Sequence, residues 1–176
     1  MMLQVAVIGY SGPIDRSPVL ELTQICRQVG KALAERGDVL ITGGRDGVME
    51  LVSESASSNG GKVLGILPSN DEGNDHNQIK IRTGMDFALR SLIISKSADV
   101  VISIGGEAGT LLEILSSYSY GRPVILMKGT GGWTDRILPV MIEGRYLDNR
   151  RTVEIRQAQD MAQLLECLEE AENGKV

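Results

Sequence analysis

Short apolar runs alternate with helix-spaced apolar positions along the whole chain. Leu3 to Ile8 is an apolar run stopped by Gly9, which predicts a strand entering a loop. Ser17 and Pro18 predict an N-cap and the first position of a helix. Leu22, Ile25, Cys26, Val29 and Leu33 then recur at helical spacing, and Gly37 ends that helix. A second strand is predicted over Asp38 to Thr42, a helix from the glycine loop at 43–47 to about Ser58, and a third strand over Lys62 to Leu67. Pro68 to Asn77 reads as a polar loop, and Ile79 to Arg82 as a brief strand.

In the next helix Met85, Leu89, Leu92 and Ile93 mark one apolar row, taken as its core face, with Lys96 extending the row. Phe87 and Ile94 fall off that row, as a subunit contact or a second buried face. Asp99 to Ile104 is apolar almost throughout, the signature of a central strand. A glycine loop leads from it into a helix ending at Gly121, and Pro123 to Met127 is another strand. Trp133 to Ile142 reads as a helix, Thr152 to Ile155 as a strand, and Met161, Leu164, Leu165 and Leu168 as a last amphipathic helix. This alternation predicts an α/β fold: a parallel sheet covered by helices on both faces, in one domain over residues 1–172 with a frayed tail at 173–176.

Composition narrows the function. The net charge of -5 and an aromatic content of 3% argue against a nucleic-acid surface, which needs a basic footprint or stacking platforms. No stretch approaches the roughly 20 apolar residues of a membrane span. Met1-Met2-Leu3-Gln4 lacks the charged and apolar regions of a signal peptide, so a cytoplasmic protein is expected. Cys26 and Cys167 sit within helical patterns and read as structural thiols; with a single histidine they predict no metal site. That histidine, His76, lies in a polar loop and reads as a solvated residue.

Three strand-to-helix turns share one composition: Gly9-Tyr10-Ser11-Gly12, Gly43-Gly44-Arg45-Asp46-Gly47 and Gly105-Gly106-Glu107-Ala108-Gly109-Thr110. Glycines let backbone amides approach an anion, and the following helix adds free N–H groups and a positive dipole end. Parallel sheets bind ligands at the carboxyl ends of their strands, where all three turns fall. They predict a site for a phosphate or similar anion. None is a Walker A loop, and none has the G-x-G-x-x-G dinucleotide spacing.

Two residues near these turns have two readings each. Glu113 follows Thr110 by three positions, so the pair forms a capping box or Glu113 points its carboxylate into the site. Arg90 follows Asp86 by four, so it forms a surface pair or neutralises a ligand oxyanion. Arg45 has the same alternatives.

These residues resemble a known group. Gly43 to Met49 resembles the GGxxGxM turn of the Lonely Guy and "possible lysine decarboxylase" superfamily, and Gly105 to Glu113 its PGGxGTxxE motif. Arg90 precedes Ala98-Asp99 at the interval where that family carries its catalytic arginine. The likeness runs over roughly residues 3 to 145 and implies a Rossmann-like three-layer fold. Lonely Guy enzymes are phosphoribohydrolases that cut the N-glycosidic bond of cytokinin nucleoside 5'-monophosphates with that arginine and glutamate. The resemblance thus implies Arg90 and Glu113 as catalytic residues should the activity be kept. Ile104 stands where those enzymes have proline, the loop between Gly106 and Gly109 is one residue longer, and Ser91 replaces a lysine.

The GGxxGTxxE form of the loop and the Gly-Gly-Trp-Thr-Asp segment at 131–135 are similar to the molybdenum cofactor carrier branch. That likeness implies molybdenum cofactor as bound ligand, a pterin with a terminal phosphate and an oxo-metal centre. It further implies a homo-oligomer, dimer or tetramer, working with molybdoenzymes or cofactor-insertion proteins. A carrier is the first expectation and a phosphoribohydrolase the second. The phosphate would rest on the amides of Gly105, Gly106 and Gly109 and on Thr110, beside Glu107. Gly43, Gly44 and Gly47 would line the rest with Gly9, Ser11 and Gly12, and Arg45 and Arg90 would neutralise oxyanions.

Overall fold

The computed structural model describes residues 2–174. Its centre is a seven-stranded parallel sheet in the order β4-β3-β2-β1-β5-β6-β7. The strands are β1 (Gln4–Gly9), β2 (Val39–Thr42), β3 (Lys62–Leu67), β4 (Ile79–Arg82), β5 (Val100–Ile104), β6 (Val124–Met127) and β7 (Ile155–Ala158). Every residue of β5 is buried, as a strand covered on both faces requires. Side chains alternate across β1. Val5 and Val7 enter one core with α1 (Thr23–Arg36), α2 (Val48–Ser58) and α6 (Met161–Glu172). Ala6 and Ile8 enter the other with α3 (Phe87–Ser97) and α4 (Ala108–Ser119). The fold is the expected α/β three-layer arrangement.

Two carboxylates pin the start of β1. Asp38 Oδ1 accepts the Leu3 amide at 2.9 Å while its Oδ2 accepts Arg36 Nε at 2.8 Å. Asp99 Oδ2 accepts the Gln4 amide at 2.8 Å.

Four expectations need correction. Ser17 and Pro18 do not open a helix: Ser17 Oγ donates to Glu21, a 3-10 turn covers Leu20–Leu22, and α1 begins at Thr23. The apolar row of α3 is not its core face. Of that row Met85, Leu89 and Ile93 are exposed and Leu92 is half-buried; off it Phe87 is exposed too, whereas Arg90, Ser91, Ile94 and Ser95 are buried. The helix expected from Trp133 to Ile142 is only Gly132–Arg136 (α5), then a 3-10 turn at Leu138–Val140, because Pro139 brings no amide donor and restricts the residue before it. Strand β7 starts at Ile155, opposite Val124, three residues later than expected; just before it the Glu154 carboxylate accepts from the Tyr146 hydroxyl, and the Ile155 amide donates to the Arg145 carbonyl. At the C-terminus Asn173 and Gly174 stay bonded to the last turn of α6, and the rest of the expected tail, 175–176, lies outside the described residues.

Candidate functional site

Chain direction across the sheet reverses between β1 and β5, since β2 continues one way from β1 and β6 the other way from β5. Parallel sheets open a crevice at such a point. Here it holds a cavity of about 400 Å³, walled by the end of β1, the β2–α2 loop, and the first turns of α3 and α4.

Arg90 lies on the buried side of α3, 5% exposed. Its Nη1 donates to the Ile66 carbonyl at 3.1 Å, while its buried Nε has no partner. Arg90 lines the cavity, and a guanidinium there is suited to pair with a ligand oxygen. Gly43 makes this placement feasible: a Cβ there would lie 1.9 Å from Arg90 Nη1. Asp86, the supposed surface partner, caps α3 by accepting the Leu89 amide. Burial lowers the Arg90 pKa, the Glu113 carboxylate opposes that, and the Arg45 charge adds to it. Arg45 pairs with Asp71 at 3.0 Å and lies 5.1 Å from the Phe87 ring centroid. Arg90 approaches the same ring at 5.9 Å.

Glu113 does not form a capping box. Its buried carboxyl accepts from Ser91 Oγ at 2.9 Å and lines the cavity, while Thr110 Oγ1 donates to the Gly9 carbonyl at 3.1 Å. Burial pushes the Glu113 carboxyl up to about 7, against the Ser91 hydrogen bond and the Arg90 charge, which both lower it. Glu107, the N-cap residue of α4, makes no side-chain cap. The first turn of that helix therefore faces the cavity with no side chain closing it.

Of the residues singled out in the sequence, the cavity gathers Gly9, Ser11, Gly43, Arg45, Arg90, Glu107, Gly109, Thr110 and Glu113. Gly12, Gly44, Gly47, Gly105 and Gly106 lie outside its wall. The Gly44 amide donates to Thr42 Oγ1 at 2.9 Å, and the Gly105 amide to Thr130 Oγ1 at 2.8 Å. At Gly106, φ is +99° and a Cβ would press on Thr110, so this glycine serves the turn that seats Thr110. His76 is outside as well, its amide donating to Asn74. Sequence reasoning missed Ser91, Phe87, Met49 and Leu112. Phe87 and Ser91 lie three positions before and one after Arg90 on α3, so the expected place of Arg90 in the site was the signal that could have found them. Met49 and Leu112 gave no signal beyond ordinary helix apolarity.

The sequence profile of the SLOG cluster4 family matches residues 2–165, nearly the whole length. The chain belongs to the SLOG cluster4 family. It thereby joins the Lonely Guy superfamily whose motifs the sequence resembles. An uncharacterised protein of Archaeoglobus fulgidus is 41% identical over 144 residues, 81% of this chain and 85% of its own. A cytokinin riboside 5'-monophosphate phosphoribohydrolase of Mycobacterium marinum is 30% identical over 105 residues, 57% of this chain. This SLOG cluster4 chain spans only 56% of that enzyme's length. Among solved structures, that of TM1055, a structural-genomics target, is 52% identical with a TM-score of 0.94, covering 97% of this chain and 99% of that one. The molybdenum cofactor binding protein of Rippkaea orientalis is 29% identical with a TM-score of 0.78, covering 96% of each chain. The molybdenum cofactor carrier protein of Chlamydomonas reinhardtii is 25% identical with a TM-score of 0.80, covering 98% and 99%. Among the described residues of this family member, no helix is long and apolar enough to cross a membrane, and no group of three or more His, Cys, Asp or Glu is placed to hold a metal.

Proposed function

We propose that the cavity binds a phosphorylated small molecule, with molybdenum cofactor as cargo, and that the protein acts as its carrier. The observation that carries this reading is the convergence of three groups on one hollow: the Arg90 guanidinium, the Arg45 guanidinium and the open first turn of α4. Two cations and a helix N-terminus suit a phosphate or an oxo-anion. Leu112, Met49 and Phe87 supply an apolar wall on which a flat heterocycle can rest. End-to-end similarity to the Rippkaea and Chlamydomonas proteins favours the cofactor over other phosphorylated ligands. Oxygen ligands of the cargo's metal would meet Arg90 and Arg45. Phe87, Leu89 and Ile93 leave an apolar strip on the outside of α3, the face we assign to a contact between copies in a homo-oligomer.

Glu113 favours a second reading, a phosphoribohydrolase. A buried carboxyl that ionises near neutrality beside an arginine is equipped for proton transfer. Water and a nucleoside 5'-monophosphate would yield the free base and ribose 5-phosphate. Thermal unfolding with molybdenum cofactor and with AMP, alongside an assay for adenine, separates the two. A carrier is expected to melt higher with the cofactor and to release no adenine. Adenine release abolished by Glu113→Gln would replace the carrier reading with the hydrolase. Melting unchanged by either ligand would overturn both.

A further inference from the structure

Between α3 and α4 runs a file of buried hydroxyls. Ser91 Oγ donates to Glu113 Oε1 at 2.9 Å. One turn further along α3, Ser95 Oγ lies 2.7 Å from Ser116 Oγ and reaches the carbonyls of Ser91 and Glu113 at 3.1 and 3.3 Å. Ser116 Oγ contacts the Glu113 carbonyl at 3.2 Å. The four side chains Ser91, Ser95, Glu113 and Ser116 are all buried. Helix-helix contacts of this kind are usually apolar, and a polar file persists only when its members satisfy one another. Ser95 and Ser116 bond each other and backbone. Ser91 alone is directed at a charged group, and it also lines the cavity.

We infer that Ser91 is a positioning residue: its hydroxyl holds the Glu113 carboxylate toward the cavity and beside Arg90. This deepens the reading of the cavity as a ligand site and rests on it only for the final arm of the test. A serine hydroxyl has one proton, and here it is committed to the carboxylate. Its oxygen is left with acceptor lone pairs only. The bond stabilises the ionised carboxyl more than the neutral one, because a charged acceptor binds the donor more strongly. Arg90, from the same helix, acts in the same direction. The other charged groups of the cavity are Arg45, itself paired with Asp71, and Glu107 at the rim, paired with Arg136. The end of β1 contributes only Val7, Ile8 and Gly9, none of them charged. Ser91 is therefore the one hydroxyl bonded to this carboxyl among the described residues.

The test is a carbon-13 NMR titration of the Glu113 carboxyl in the full chain, its signal assigned by its disappearance in Glu113→Gln. Ser91→Ala is expected to move the midpoint upward by about one pH unit, tenfold in the ionisation constant. Ser91→Thr, which keeps the hydroxyl, is expected to restore it. Ser95→Ala removes hydroxyl bonds between the same two helices without touching the carboxyl, and is expected to lower stability while leaving the midpoint in place. An unmoved midpoint in Ser91→Ala, or an equal shift in Ser95→Ala, overturns the inference. In the last arm, the AMP-induced rise in melting temperature is followed against pH, and its profile should shift with the carboxyl in Ser91→Ala. If the midpoint moves while AMP raises no melting temperature in any variant, the role of Ser91 stands and AMP is excluded as a ligand.

Discussion

Gly43→Ala is a small change with a calculable effect. A Cβ there would lie 1.9 Å from Arg90 Nη1 and 2.6 Å from Met49 Sδ. The φ of Gly43 is outside the left-handed region, so the methyl adds no backbone strain and acts by contact alone. Both opposing atoms end flexible side chains, and the cavity gives the guanidinium room to retreat, so overpacking contributes about 1 kcal/mol. The retreat breaks the Nη1 bond to the Ile66 carbonyl, a charged hydrogen bond of about 1.5–3 kcal/mol. The expected loss is about 3 kcal/mol, which for a chain of this length lowers melting by about 6–12 °C. Urea unfolding measures it as a lower midpoint at unchanged slope. In an Arg90→Ala background the same substitution has no guanidinium to meet, so its effect should fall below about 1 kcal/mol. A full 3 kcal/mol in that background, or less than about 0.5 kcal/mol in the natural chain, would refute the argument.

Glu113 makes stability depend on pH. With the folded carboxyl held near 7 against an ordinary 4.5, the fold binds the extra proton between those values. Stability should therefore fall by about 3 kcal/mol as pH rises from 4.5 to 7 and level off above; Glu113→Gln should flatten that slope in urea melts run from pH 4 to 8. Asp38→Ala strips the Leu3 amide and Arg36 of their buried acceptor and is expected to cost about 2–3 kcal/mol in denaturant unfolding; a loss under about 0.5 kcal/mol would show the contacts to be idle. Gly109→Ala adds a methyl that meets nothing within 4 Å on a helical residue, so calorimetry should find the protein more stable by about 0.5 kcal/mol, and a lower melting temperature would contradict this.

The layered fold was legible because its central strands are buried on both faces and so appear as apolar runs, and even the exposed edge strand β4 falls at the expected limits, as does β3. Helix α3 shows where such reading fails. Its most apolar row, through Leu89 and Ile93, points outward, while its buried face carries Arg90, Ser91 and Ser95. A polar row that serves a cavity has the same spacing as one that serves water, and only a tertiary neighbour such as Glu113 distinguishes them. The glycine turns were legible as a group but not singly. Gly43 borders the cavity because a guanidinium must pass it, whereas Gly47 is small because the Tyr10 carbonyl would lie 2.3 Å from a Cβ. Spacing cannot separate those two needs.

The Gln4 amide and the Asp99 carboxylate, 95 positions apart, stitch β1 to β5 at the line where the sheet reverses. Before that line is closed, Arg90 and Glu113 already share one bank of the cleft, on the neighbouring helices α3 and α4, while Gly9 at the end of β1 stands on the other. Joining distant segments is slow, so β1 should close onto β5 late in folding, after α3 and α4 have packed on each other. A molecule lodged between the two banks acts as a rivet across the join. Its presence should slow amide exchange most along β1 and β5, and a polypeptide cut just ahead of β5 would carry half of a clasp with nothing to close on.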